Sequence, residues 1–159
     1  MKKLISILAI VVLSTMAVQA QNASKATTLS IAVNAGVPTA TGYSVALGAD
    51  LQADFAVAPT TKITASVGYE NYSIKSSYGG GSGYFIPLLG GVKFNLGEKA
   101  YGHGQLGYGF GKGGSGAFAY APSIGYYFSP NFDASVKYLA FSKSGSTLGS
   151  INVRLAYNF

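Results

Sequence analysis

Few side chains in this sequence could carry out chemistry. The chain has one histidine, five acidic residues and no cysteine. Without cysteine there is no thiolate nucleophile, no cysteine-ligated zinc site and no disulfide. The histidine, His103, is a candidate general base beside Lys93 or Asp50. The alternative, which we favour, is that His103 is a polar side chain that fills the interior of the protein.

One motif could in principle bind a cofactor. Residues 102–107 match the dinucleotide-binding pattern G-x-G-x-x-G. That pattern works only where a helix follows and receives the pyrophosphate at its N-terminus. Here the residues that follow alternate like a strand, so we expect no dinucleotide site. We also expect no catalytic residue, no cofactor and no metal.

The composition is unusual for a soluble enzyme. Only 10% of the residues are charged, 22 are glycine and 21 are tyrosine or phenylalanine, against a usual charged fraction of about 25%. Low charge with many aromatic residues argues against intrinsic disorder. The formal net charge of +6 is spread along the chain, so we predict no nucleic-acid surface.

The first twenty residues predict a secretory signal peptide. Lys2 and Lys3 precede an apolar run from Leu4 to Met16, and small residues end the segment at Ala20. The run is too short for a membrane-spanning helix, which needs about 20 apolar residues. We therefore expect export, cleavage after Ala20, and one domain over residues 21–159.

From residue 29 onward the chain alternates between apolar and small or polar residues. Period-two alternation is typical of β-strands with two different faces. The apolar rows predict eight strands and no helix. The rows lie within residues 29–35, 43–55, 63–69, 84–96, 106–110, 118–128, 132–138 and 151–159.

The connections between these strands alternate in length. Links near residues 58–61, 97–99 and 129–131 are short, whereas 73–83, 111–116 and 142–149 are longer and rich in Gly and Ser. Bacterial membrane barrels have short periplasmic turns and longer outer loops. Pro87 and Pro122 fall inside strands, where each lacks a ladder donor, so we expect bulges or kinks there.

Two eight-stranded barrels fit this pattern, one soluble and one in a membrane. A soluble barrel turns its apolar rows inward, whereas a membrane barrel turns them outward. The polar rows carry too few charges for a soluble surface, where about 25–35% is usual. If the polar rows faced outward instead, Asp50, Lys93 and Arg154 would lie in lipid. There a basic residue lowers the free energy of unfolding by up to about 2–4 kcal/mol. The sequence therefore predicts an eight-stranded antiparallel up-and-down transmembrane β-barrel.

Aromatic residues on the apolar rows cluster near the strand ends. Such clusters are typical of the girdles at the two faces of a bilayer. The predicted outer girdle contains Tyr43, Tyr69, Tyr84, Phe110, Phe118 and Tyr120, and the inner one Phe55, Phe94, Tyr126, Phe128, Phe132, Tyr157 and Phe159.

The charged residues on the polar rows are expected to meet inside the barrel. Counting across the short turns places Lys93 beside His103 and Asp54 near Lys62, and counting across residues 111–116 places Gly102 opposite Tyr126. Because buried charges must be paired or hydrated, we predict a network of ion pairs and hydrogen bonds. Its members are Asp50, Asp54, Lys62, Lys93, His103, Lys137 and Arg154.

The whole predicted mature chain resembles the small OmpX/OmpA-type outer-membrane barrels. The resemblance rests on the signal peptide, the eight alternating strands, the turn at residues 128–132 and the ending at residues 154–159. It implies a protein in the lipids of the bacterial outer membrane, and we expect this protein to be a monomer. It also implies that the barrel assembly machinery recognises the final strand by five residues, Ile151, Val153, Leu155, Tyr157 and Phe159.

Three classes of function stay open. We favour a non-catalytic envelope protein with a structural or surface-contact role, since no reactive centre is assembled. The second class is a narrow porin-like conduit, which small Gly and Ser side chains on the inner rows would favour. The third is a lipid-modifying enzyme. Lys75, Lys112 and Lys143, one in each longer connection, could contact lipopolysaccharide phosphates or could simply be solvated.

Overall fold

The computed structural model describes residues 27–159, which form a closed barrel of eight antiparallel strands. The predicted fold class and strand number are confirmed. The predicted signal peptide, residues 1–20, lies outside the described residues. Within residues 27–159, no helix is long and apolar enough to cross a membrane.

Each strand pairs with its neighbours in the sequence, and the first pairs with the last to close the barrel. The strands are β1 (Thr27–Pro38), β2 (Tyr43–Ala58), β3 (Thr61–Ile74), β4 (Ser82–Asn95), β5 (Ala100–Gly111), β6 (Gly116–Ser129), β7 (Phe132–Lys143) and β8 (Ser146–Asn158). Closure leaves no unpaired sheet edge, which a lipid environment requires.

The apolar rows face outward. On β8 every odd-numbered residue from Ile151 to Tyr157 is exposed, and every even-numbered one from Asn152 to Asn158 is buried. Thirty large hydrophobic side chains are exposed on residues 27–159, while the buried set includes aspartate, glutamate, lysine and arginine. This arrangement is the reverse of a soluble protein and is typical of a barrel surrounded by hydrocarbon.

Tyr43 does not belong to the outer girdle as predicted. The β2–β3 ladder shifts register between Tyr43 and Val45, so the alternation that holds from Val45 onward does not extend to Tyr43. The Tyr43 ring packs edge-to-face on the fully buried Tyr72, with the ring centroids 6.1 Å apart. A β-bulge re-aims a side chain in this way, and unbroken alternation in the sequence gave no sign of it.

The connections define two ends of the barrel. We call the end with residues 39–42, 75–81, 112–115 and 144–145 the loop end, and the end with residues 59–60, 96–99 and 130–131 the turn end. The last predicted long loop is wrong, because β7 and β8 are joined by Ser144 and Gly145 alone. Both have positive φ, 49° and 82°, as a type I′ hairpin requires.

The prolines inside strands do not produce bulges. The β3–β4 ladder keeps one register on both sides of Pro87, and the β6–β7 ladder does so on both sides of Pro122. In each case the ladder only skips two residue pairs. Because proline has no backbone N–H, pairing is lost locally, but no extra residue is inserted into the strand. The predicted bulges are therefore wrong.

One predicted cross-strand neighbour is also wrong, because the centre of a turn is displaced. The β5–β6 connection centres on Gly113, one residue earlier than predicted, so Gly102 lies opposite Ile124 instead of Tyr126. The ring of Phe94, its partner on β4, covers Gly102 at 2.6 Å from where a Cβ would lie. A turn whose centre moves by one residue shifts the strand register by two.

The outward direction of the apolar rows can be tested with arginine at two depths. Leu51 lies in the middle of β2 and is 55% exposed. We expect Leu51→Arg to lower the free energy of unfolding by about 2–4 kcal/mol, because the charge enters mid-bilayer. Val37→Arg, near the loop end, should cost only about 0–1 kcal/mol. Urea unfolding in lipid vesicles measures both values, and equal losses would contradict the predicted depths.

Candidate functional site

The centre of the lumen is organised around the carboxylate of Asp50. Arg154 donates from Nε and Nη2 to its two oxygens at 2.7–3.2 Å. Asn34 donates to Oδ2 at 2.9 Å, and Lys137 lies 3.4 Å from the same oxygen. These residues come from β1, β2, β7 and β8, so one buried carboxylate ties together four strands. A bidentate pair of this kind fixes both side chains.

A second buried carboxylate, Asp133, extends this cluster toward the turn end. Tyr101 donates its hydroxyl to Oδ1 at 2.5 Å and Asn158 donates to Oδ2 at 2.9 Å. Arg154 Nη1 lies 3.8 Å from Oδ1. The sequence-based network omitted Asp133, although it shares the inward row of β7 with Lys137. That shared row was the signal that could have found it.

Asp54 is held by a separate pair of contacts. Lys93 donates to Oδ2 at 2.6 Å, and Gln52 donates to Oδ1 at 2.6 Å. The Lys93 ammonium also lies 4.8 Å from the centroid of the Tyr101 ring, a cation–π contact. Tyr101 therefore connects the Asp54 pair to Asp133.

Lys62 is a diagonal neighbour of Asp54 but forms no ion pair with it. The β2–β3 ladder shifts between Ala56 and Ala58, which places Thr64 opposite Asp54 and Ala56 opposite Lys62. Lys62 is half-buried and takes part in none of the ion pairs found within residues 27–159. The other six predicted members are all buried in the lumen.

His103 lies opposite Lys93, as the counting predicts, and its Nε2 is 2.8 Å from the hydroxyl of Thr64. A hydroxyl beside an imidazole resembles a nucleophile with its base. Both side chains are buried, however, and none of the hydrogen bonds described for residues 27–159 joins His103 to a carboxylate that would orient its ring. This geometry fits a polar filler better than an acyl-transfer site.

Glu70 is a further buried carboxylate that the predicted network omitted. Its side chain is 2% exposed and lies over Gly48, its partner on β2. Its Oε1 has no hydrogen-bond partner among the described residues. Within residues 27–159, no group of three or more His, Cys, Asp or Glu side chains is placed to hold a metal ion.

Toward the loop end the lumen is filled by apolar side chains instead of charges. Tyr72 is fully buried and contacts Phe85 and Phe141 edge-to-face, and those two rings stack 4.2 Å apart. The Tyr72 hydroxyl meets Ser150 Oγ at 2.9 Å. We call this cluster the aromatic plug. Its buried members are Ala46, Tyr72, Leu89, Ala117, Ala119, Ala121, Leu139 and Phe141, with Tyr43, Phe85 and Leu148 partly buried against them.

Two glycines on inward rows make room for the large rings. The Phe141 ring lies where a Cβ of Gly109 would project, and the Tyr101 ring lies where a Cβ of Gly125 would project. Any larger residue at either position would collide with the ring. These glycines therefore allow rings to lie across a narrow lumen.

Above the plug the loop end opens into a shallow mouth. A cavity of about 430 Å³ is lined by Tyr43, Phe85, Phe141 and Lys143, among others. A second cavity of about 210 Å³ adjoins it and includes Lys112. Lys75, Lys112 and Lys143 are all exposed around this mouth.

Comparison with known proteins matches the architecture but not the sequence. No protein-family model matches the chain, and none of the curated proteins does. Among solved structures, the attachment invasion locus protein Ail of Yersinia pestis, crystallised with the heparin analogue sucrose octasulfate, aligns with a TM-score of 0.62 at 18% identity. That alignment covers 85% of this chain and 98% of Ail.

Two further solved structures also share the architecture of this chain at low sequence identity. A de novo designed transmembrane β-barrel aligns with a TM-score of 0.58 at 20% identity, over 83% of this chain and 95% of the design. The outer membrane enzyme PagL aligns with a TM-score of 0.56 at 13% identity, over 80% of this chain and 98% of PagL. This chain has the fold of the small eight-stranded outer-membrane β-barrels.

In this barrel the five residues of the predicted assembly signal share one face. Ile151, Val153, Leu155 and Tyr157 point outward from β8, and Phe159 follows the strand, with 74% of its surface exposed. The Phe159 amide donates to the Leu29 carbonyl at 2.9 Å, which ties the chain end to β1. Their role in recognition by the assembly machinery stays a prediction.

The Asp50 cluster can be tested by breaking it from one side. Asp50→Asn leaves Arg154 and Lys137 buried without their carboxylate, and we expect a loss of about 3–5 kcal/mol in the free energy of unfolding. Asp50→Asn/Lys137→Met should lose less, because Lys137, whose one ion pair within residues 27–159 is with Asp50, no longer carries an uncompensated charge.

Lys62→Met provides the control, since Lys62 lies outside the ion pairs, and it should cost less than about 1 kcal/mol. Urea unfolding of refolded protein in micelles gives all four values. A larger loss for Lys62→Met than for Asp50→Asn would contradict this organisation of the lumen.

Proposed function

We propose that this protein is a closed, non-catalytic barrel of the bacterial outer membrane that acts through surface contacts at its loop end. The observation that carries the proposal is the filling of the lumen at two levels, by the charge network and by the aromatic plug. A barrel that is filled in this way has only its rims and its lipid-facing surface left for interactions.

The filled lumen favours this function over a conduit. An eight-stranded barrel is just wide enough for its side chains to fill. Here Tyr72, Leu139 and Phe141 are each no more than 2% exposed across the plug, and Arg154 is buried across the network. Moving either layer aside would expose apolar rings to water or break buried ion pairs, and both changes are costly.

Conductance in planar bilayers tests the closed lumen. We expect the refolded wild-type barrel to give no stepped conductance, since both layers block the path. A protein-free bilayer and the same bilayer with a large water-filled porin provide the negative and positive controls. Stepped conductance from the wild-type protein would contradict the closed lumen and support a conduit.

The surface-contact role is supported by the charge at the loop end. Its connections and flanking strand ends carry Lys75, Lys112 and Lys143 and no acidic residue. Of the five acidic residues, four are buried in the lumen and the fifth, Glu98, lies at the turn end. Because the charged side chains of this rim are all positive, it attracts negatively charged groups. We therefore expect contacts with phosphate or sulfate groups such as those of lipopolysaccharide. The sulfated sugar bound by Ail, a barrel of similar fold, is a ligand of that chemistry.

The enzyme alternative has weaker support. PagL shows that a barrel of this fold can be an enzyme. In this chain the hydroxyl–imidazole pair of Thr64 and His103 lies inside the filled lumen, whereas a lipid-modifying site must be open to lipid. We therefore assign His103 a packing role.

Charge reversal tests the rim. The triple variant Lys75→Glu, Lys112→Glu and Lys143→Glu should weaken binding to lipopolysaccharide at low salt, because three attractive contacts become repulsive. We expect the wild-type affinity itself to fall as salt rises. Lys62→Glu/Lys99→Glu, at the turn end, is the control and should bind like the wild type. Unchanged binding by the triple variant in a vesicle pull-down would refute the contact.

A further inference from the structure

Three buried oxygen atoms in the lumen have no hydrogen-bond donor. Among residues 27–159, the buried side-chain nitrogen and oxygen atoms without a partner are Asn34 Oδ1, Glu70 Oε1 and Asn152 Oδ1. The three residues are at least 96% buried. All three atoms are acceptors, and leaving a buried acceptor unpaired is costly. A ligand that satisfies all three must therefore be a hydrogen-bond donor or a cation.

The strand register places these oxygens in one region of the lumen. Gly48 on β2 lies between Asn34 on β1 and Glu70 on β3, and Gly36 lies opposite Asn152 on β8. The Glu70 carboxylate occupies the space over Gly48, and Asn152 Oδ1 occupies the space over Gly36. On one face of paired strands, Gly36 and Gly48 are diagonal neighbours about 7–8 Å apart.

The amide groups are oriented by their nitrogen atoms. Asn34 donates from Nδ2 to Asp50 Oδ2 at 2.9 Å, and Asn152 donates from Nδ2 to Ser150 Oγ at 2.8 Å. Because both nitrogens are engaged elsewhere, each amide leaves its oxygen free. The side of Asn34 away from Asp50 is the side on which Gly36 and Asn152 lie along β1 and β8.

Among the fully buried side chains of the described residues, negative charges outnumber positive ones. Four carboxylates are buried, Asp50, Asp54, Glu70 and Asp133, against three cationic side chains, Lys93, Lys137 and Arg154. Each aspartate has a cationic partner within 4 Å, and Glu70 has none. The carboxylate without a partner is thus the one beside the two unpaired amide oxygens. One positive charge at this point would neutralise the set.

We propose that the lumen holds one monovalent cation of about the size of Na⁺ between the Glu70 carboxylate and the amide oxygens of Asn34 and Asn152. Hard cations prefer carboxylate and carbonyl oxygens, which are the ligands present. A single charge matches the single unpaired carboxylate. The site lies between the Asp50 cluster and the aromatic plug, so the ion stabilises the closed barrel. It does not depend on the rim contacts proposed above.

The test is the thermal stability of the refolded barrel in uncharged micelles. NaCl is varied against choline chloride at constant ionic strength, so that screening stays the same. A ligand that binds only the folded state raises the Tm with concentration. We expect a rise of about 4 °C for each tenfold increase in Na⁺ above its dissociation constant, and no rise with choline.

Two variants assign the effect to the site. Glu70→Gln removes the charge at nearly the same volume and should abolish the difference between Na⁺ and choline. Glu98→Gln makes the same chemical change on an exposed residue of the turn end and should keep the difference. Sodium-23 relaxation on the wild-type protein gives a second measurement that needs no variant, and we expect line broadening that Li⁺ displaces.

Several results would overturn the proposal. One is an equal Tm in Na⁺ and choline without broadening of the sodium signal. Another is a difference between the ions that survives in Glu70→Gln. A third is a Tm that is the same with either cation but changes with pH in the wild type and not in Glu70→Gln. That result would show that the missing positive charge is a proton on Glu70.

Discussion

The dominant constraint on this barrel is that its outer surface faces hydrocarbon. Lipid offers no hydrogen bonds, so every polar group must be satisfied by the backbone ladder or inside the lumen. The alternation of the strands meets this requirement by placing the apolar rows outside. All buried charges of the described residues are consequently confined to the lumen of an eight-stranded barrel, where little space is left for water.

That confinement explains why the lumen divides into two parts. Charges concentrate in the part near the turn end, where Asp50, Asp54 and Asp133 each hold a cationic partner. Apolar rings fill the part near the loop end, around Tyr72. Glu70 lies where the two parts meet, and it is the carboxylate that neither part neutralises. The closed lumen and the proposed ion site are thus two results of the same packing problem.

The sequence predicts the regular features of this fold and misses the irregular ones. Strict alternation identified the strands and the side on which Asp50 or Arg154 lies, because period two follows directly from strand geometry. It could not locate the bulge that turns Tyr43 inward or the exact centre of a turn, because both depend on single residues in the connections. Two features of the lumen were not predicted, although the inward rows carried a signal for each. The apolar residues on the inward rows of β3 and β7 indicated the aromatic plug. Asp133 lies on the same inward row as Lys137, which indicated that it belongs to the charge network.

The most direct test of the whole account is the direction in which successive residues of one strand face. Because the chain has no cysteine, single cysteines can be placed at each residue from 29 to 33 of β1 and spin-labelled in lipid vesicles. We predict that residues 29, 31 and 33 are accessible to oxygen dissolved in lipid, and that residues 30 and 32 are protected from it. Reversed alternation, or equal accessibility along the strand, would contradict a barrel with its charges inside.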